Sequence, residues 1–174
     1  MKTFNFIATT YKGLENEAMA ELLSTLAVFG DVRATVSLTV VSGLLTGFTF
    51  MEAEAISKRL IQMVEMDPWS IRLILRFIPV ERVVAADIED IVECVKAVSN
   101  KIGQDESFRI TIEKRHTQLK SSEIIQEVGD VVSRRVDLDN PNWIVLIEIV
   151  RNEAGISVIR PEVIFSSLKA KRGS

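Results

Sequence analysis

The chain has 174 residues, of which 47% are hydrophobic and 26% charged, with a formal net charge of −3. This balance excludes a disordered chain and a globally basic nucleic-acid binder, although phosphate contact depends on local charge and not on the sum. A single cysteine, Cys94, excludes an internal disulfide and fits a reducing, cytoplasmic setting, and the opening MKTFNFIATT has too short an apolar run for a signal peptide.

In chain order, Phe4 to Thr10 is predicted as a strand, turned by Lys12-Gly13. Leu14 to Val28 is a helix with Ala18, Leu22, Leu23 and Leu26 inward, and Gly30 stops it. Ala34 to Met51 carries no charge and nears the length of a membrane span. It alternates, however (Val36, Leu38, Val40 against Thr35, Ser37, Thr39), and breaks at Ser42-Gly43. It therefore reads as a hairpin of strands Val32 to Val41 and Leu44 to Met51, with no membrane segment. Glu52 to Met66 is a second helix, ended by Asp67-Pro68, and Ile71 to Ile78 a fourth strand. The order βαββαβ is that of a ferredoxin-like module.

Pro79 to Ala86 reads as a junction. Asp87 is placed to cap a helix that runs to about Ile102, with Asp90 where a capping-box acid would sit. Phe108, Ile110 and Ile112 then alternate with Arg109, Thr111 and Glu113 as a half-buried strand. Ser121 or Ser122 is a candidate cap for a helix with the stripe Ile124, Ile125, Val128, Val131 and Val132. Gly129 within it points to close helix–sheet packing. Trp143 to Val150 is apolar almost throughout and reads as a central strand buried on both faces. Gly155 to Arg160 is a last strand, followed by a basic tail of Lys169, Lys171, Arg172, Gly173 and Ser174.

The functional content lies between the strand at Phe108 and the helix at Ser121. Lys114, Arg115, His116 and Lys120 fall where a helix begins, and the first amides and dipole of a helix suit an anion, most naturally a phosphate. On these residues alone, a solvated loop with a serine cap fits as well. Lys114 and Arg115 are the main candidates for phosphate contact. Lys120 and Ser122 would assist, and His116 is placed either to stack on a base or to sit in the loop. Arg160, at a strand end, is a candidate for the same groove, and Lys169, Lys171 and Arg172 for an extended footprint. Trp143 and Trp69 read as core residues.

The strand Phe108-Arg109-Ile110-Thr111-Ile112 running into Lys114-Arg115, Ser122 at a helix start, Val128-Gly129 within the helix, Val136 to Pro141 before the apolar strand and Gly155 to Val158 occur together in order. In this the chain resembles the THUMP domain, the RNA-binding module of thiouridine synthases, RNA methylases and pseudouridine synthases. The resemblance implies an α+β protein with a ferredoxin-like half, residues 1–82, packed on a THUMP half of α/β type, residues 83–165, and a basic tail, residues 166–174. It implies tRNA as the partner, held by its acceptor stem and 3′ end. It also implies a stand-alone adaptor presenting tRNA to a separate acetyltransferase that makes N4-acetylcytidine.

A search for catalysis finds no phosphate loop and no dinucleotide fingerprint. Cys94 and His116 form no recognisable nucleophile–base pair, Cys94 reads as a buried structural residue, and no metal spacing appears. The expectation is a protein with no enzymatic activity, metal or cofactor. Two other readings stay open: a subunit of a tRNA thiolation or methylation enzyme, and a protein–protein scaffold that uses its sheet edge. The scaffold would place Lys114 and Arg115 facing different ways; the RNA reading needs Lys114, Arg115 and Lys120 to line one groove.

Overall fold

A computed structural model describes residues 3–172. Gly173 and Ser174 of the expected tail lie outside the described residues. The chain divides into two compact units: residues up to Val80 together with those from Glu162 onward, and Glu81–Pro161. Two five-stranded sheets and five α-helices make up a mixed α/β fold among the described residues.

The first unit contains β1 (Phe6–Thr9), α1 (Glu15–Val28), β2 (Thr35–Leu38), β3 (Leu44–Phe48), α2 (Ala53–Met66) and β4 (Arg76–Pro79). They form an antiparallel sheet in the order β4-β1-β3-β2, the arrangement that the βαββαβ order calls for. Phe6, Ala8, Leu45 and Phe77 on the sheet meet Ala18, Leu22 and Leu26 of α1 and Ile56, Leu60 and Val64 of α2 in one core. Gly47 stands opposite Phe6, and any Cβ there would collide with the Phe6 ring.

Two strands are shorter than their apolar patterns, each for an identifiable reason. The fourth begins at Arg76 because the amides of Arg72, Leu73 and Ile74 donate to the Glu21 carboxylate, at 3.0, 3.0 and 3.1 Å. The second begins at Thr35 because Asp31 gathers the Arg33 amide (3.1 Å), the Thr49 hydroxyl (2.6 Å) and the Phe50 amide (2.7 Å). Burial alone would push the Asp31 carboxyl up, but these donors hold it below its ordinary range.

The second unit contains β5 (Arg82–Ala85), α3 (Ile88–Val98), β6 (Ser107–Arg115), α4 (Ser121–Val131), β7 (Arg135–Val136), β8 (Trp143–Val150) and β9 (Glu153–Ile159), in the sheet order β5-β9-β8-β6-β7. The expected junction is thus partly a strand, β5, which pairs antiparallel with β9. β6 runs parallel to β7 and β8, while β9 runs antiparallel to β8. As its run of apolar residues predicts, β8 lies central, with Ile144 to Ile149 buried. Ile91, Val95, Ile124, Val128, Val145 and Ile147 belong to its core. The Asp87 side chain accepts the Asp90 amide at 2.8 Å and caps α3 as expected.

Three expectations need correction. Gly129 is solvent-exposed, with open space where a Cβ would stand, so it permits no close packing. Trp69 is 78% exposed and is not a core residue. The expected tail after residue 165 is ordered: Phe165–Ser166 form β10, which pairs with β4, and Ser167–Arg172 form α5. Phe165 is fully buried, and the Ser57 hydroxyl donates to the Val163 carbonyl, because this segment completes the first unit's core.

Candidate nucleic-acid interface

β6 and β8 are parallel and end level, with Arg115 beside Val150. At the C-terminal ends of neighbouring parallel strands the chain must turn away, and ligands in α/β sheets gather there. β6 leads into Lys114, Arg115 and His116. β8 leads into Arg151, whose amide donates to the Arg115 carbonyl at 2.9 Å. His116 and Arg151 both have φ of 57°, in the left-handed region that favours glycine. Both are solvent-exposed. A long cation kept where glycine would be easier is a feature that functional sites share.

Arg151 was not among the expected site residues. The signal was present in the sequence: Arg151-Asn152 is a polar pair between two apolar runs, the mark of a two-residue hairpin.

Lys114 and Arg115 do not line one groove. They are consecutive in a strand, so their side chains leave opposite faces of the sheet. Lys114 is exposed, and its ammonium donates to the Leu119 carbonyl at 3.1 Å, bridging the loop that leads to α4. Arg115 turns to the other face and pairs with the buried Glu148 at 2.6 Å, with 18% of its side chain exposed. The guanidinium is thereby committed to a structural partner at the base of the turn.

Lys120 occupies the N-cap position of α4, ahead of Ser121 and Ser122, and no side chain caps the helix. The expected serine cap is absent because both serines already lie inside the first turn. Ser122 and Lys120 are exposed beside the first-turn amides, which have no intrahelical partner. Lys114, His116, Lys120, Ser122 and Arg151 therefore belong to one end of this sheet and its crossover helix.

Arg160 belongs to the other end. The register places it beside Trp143, at the start of β6 and β8, about 23 Å along the strands from Arg115 at ~3.3 Å per residue. There its guanidinium lies 3.9 Å from the Trp143 ring centroid and pairs with Glu106 at 2.6 Å. The Glu106 carboxylate also accepts the Trp143 indole N–H and the Gly103 amide, both at 2.9 Å. The Trp143 bond first, then the Gly103 and Arg160 bonds, hold Glu106 down to about 2. Lys169, Lys171 and Arg172 lie on α5, in the first unit.

Cys94 is buried on α3, and burial pushes its thiol up. Among the described residues no group of three or more His, Cys, Asp or Glu is placed to hold a metal ion, and no helix is long and apolar enough to cross a membrane.

Comparison with known proteins agrees with this division. The THUMP domain model matches residues 85–159, nearly the whole of the second unit, and the chain thus contains a THUMP domain. An uncharacterized protein of Methanocaldococcus jannaschii is 26% identical over 175 residues, covering 97% of this chain and 44% of its own length. One of Schizosaccharomyces pombe is 27% identical over 93 residues, covering 49% of this chain and 32% of its own length. The chain therefore spans less than half of either curated relative. Among solved structures, PH1313 from Pyrococcus horikoshii superposes with a TM-score of 0.69 at 18% identity, over 91% of this chain and 55% of that one. A 4-thiouridine synthetase, solved as an RNA complex with bound ATP, gives 0.53 at 16% identity, over 91% and 42%.

Proposed function

We propose that this chain binds tRNA through its second unit, with Lys114, His116, Lys120, Ser122 and Arg151 meeting the phosphate backbone and unstacked bases. The observation that carries the reading is the coincidence of the THUMP match with a sheet end that carries exposed Lys114, Lys120 and Arg151 and leads into a helix with no side-chain cap. The shared fold with a synthetase solved in complex with RNA supports it. Arg115 acts as a positioning residue, fixing the turn from below through Glu148.

On this reading the chain holds the acceptor stem and 3′ end, recognised through backbone shape and splayed bases. It contributes no catalytic residues, works in the cytoplasm, and presents the tRNA to a separate modifying enzyme, an acetyltransferase that makes N4-acetylcytidine. The test is a binding titration with intact tRNA and with tRNA trimmed of its 3′ end, then addition of candidate acetyltransferases. Loss of affinity on trimming supports the reading. Equal affinity for both, or none at low salt, contradicts it.

The opposed faces of Lys114 and Arg115 favour a second reading as a protein–protein scaffold. It predicts that the isolated chain binds no tRNA at any salt concentration.

A further inference from the structure

β6 is a nine-residue strand, Ser107–Arg115, but its outer neighbour β7 pairs with it only at Ser107 and Phe108. The direction of the remaining outer groups can be read from two bonds. The Phe108 carbonyl accepts the Asp137 amide and so points away from β8, whereas the Arg115 carbonyl accepts the Arg151 amide and points toward it. Alternation along the strand then aims the N–H and C=O of Ile110 and Ile112 outward, where no strand of the described residues meets them. An open edge of this kind is a template for strand addition.

We propose that this edge pairs with the same edge of a second copy of the chain, antiparallel about a twofold axis at Thr111. The sequence selects both the occupant and the register. Outward-pointing residues must face outward-pointing residues, and Lys114 points outward as well, which leaves axes from Ile110 to Glu113. An axis at Glu113 sets Ile110 against His116, which lies beyond the strand in the left-handed region. An axis at Ile112 sets Arg109 against Arg115 and Ile110 against Lys114. An axis at Ile110 needs Phe108, whose carbonyl is already taken by Asp137. The axis at Thr111 sets Ile110 against Ile112, each exchanging both backbone bonds, and sets Arg109 of each copy against Glu113 of the other. Glu113 is exposed, and the half-buried Arg109 donates to the Leu138 carbonyl at 3.1 Å, a neutral partner that leaves its charge to be met by a carboxylate directly across the two strands. The edge is thus complementary to itself in one register, as an isologous contact requires. This inference stands apart from the tRNA reading and survives its failure.

The test uses Thr111→Cys. Directly opposed residues of a non-hydrogen-bonded pair lie about 4.5 Å apart between Cα atoms, close enough for a disulfide. The chain's only other thiol, Cys94, is buried. Mild oxidation is expected to yield a cross-linked dimer far faster than it does for the exposed control Gln104→Cys. In the Thr111→Cys background, Arg109→Glu is expected to cut the yield several-fold, and Arg109→Glu with Glu113→Arg to restore it. The restoration separates pairing from any effect on folding. The unmodified chain is expected to sediment toward twice its 19.5 kDa as concentration rises. A mass that stays at one chain, cross-linking no faster than the control, or failure of the double reversal to restore it would each overturn the proposal.

Discussion

Replacing Arg115 by alanine would leave Glu148, 1% exposed, without the guanidinium that pairs with it at 2.6 Å. Breaking one side of a buried pair is expected to cost about 3 kcal/mol, read as a fall in the urea midpoint, whereas Lys114→Ala, on an exposed side chain, should stay within about 0.5 kcal/mol. Equal effects would contradict the separate roles given to these neighbours. Arg151 offers the converse experiment. Because its φ is 57°, Arg151→Gly should relieve the backbone and raise stability by about 1 kcal/mol while weakening tRNA binding. Glu106 sets an acid limit. Its carboxyl falls from an ordinary 4.5 to about 2 in the folded chain, so its contribution is present above pH 4.5 and is lost as pH falls toward 2. Stability measured across that window should fall less steeply in Glu106→Gln than in the parent. The sequence made Lys114, His116 and Lys120 visible as a cluster because they are local. It hid the Arg115–Glu148 pair, whose members lie 33 positions apart and meet only through the parallel register.

The elements differ in how they are terminated, and the differences are measurable. α3 has a side-chain cap, so Asp87→Ala should cost about 1 kcal/mol. α4 has none, so Ser121→Ala and Ser122→Ala should each change stability by no more than about 0.5 kcal/mol. Thermal unfolding of the three variants checks both statements. Long elements with one dominant period were legible: α1, α2, α3 and β8 follow their apolar patterns. The β2–β3 hairpin forms where it was expected, but its alternation does not set burial, since Leu38 and Val40 are exposed. What escaped was short or decided by remote partners. β10 has two residues and is a strand only because β4 lies beside it. The start of β4 depends on Glu21, a residue of α1. Phe165 tests the placement of the C-terminal segment: if it closes the first unit's core, Phe165→Ala should cost about 3–5 kcal/mol. A cost near zero would return residues 166–172 to the status of a tail.

At the scale of the molecule, the ferredoxin-like order and the THUMP resemblance were both legible, because each rests on a sequence of elements and not on single contacts. The limits of the units were not. The sequence placed Arg160 in one groove with Lys114, and the register instead sends it to the far end of its sheet. The segment after Pro161, with Lys169, Lys171 and Arg172 on α5, belongs to the first unit. The net charge of −3 makes any tRNA affinity depend on a few local cations, so it should be sensitive to salt.

The most direct measurement is therefore the slope of tRNA affinity against salt, on logarithmic axes, for the chain and for the Lys114→Ala, Lys120→Ala, Arg151→Gly triple variant. The parent should bind with a clear negative slope, and the variant should bind more weakly with a slope smaller in magnitude by about 1 for each phosphate contact removed. Unchanged affinity and slope in a folded variant would contradict the interface described at the ends of β6 and β8.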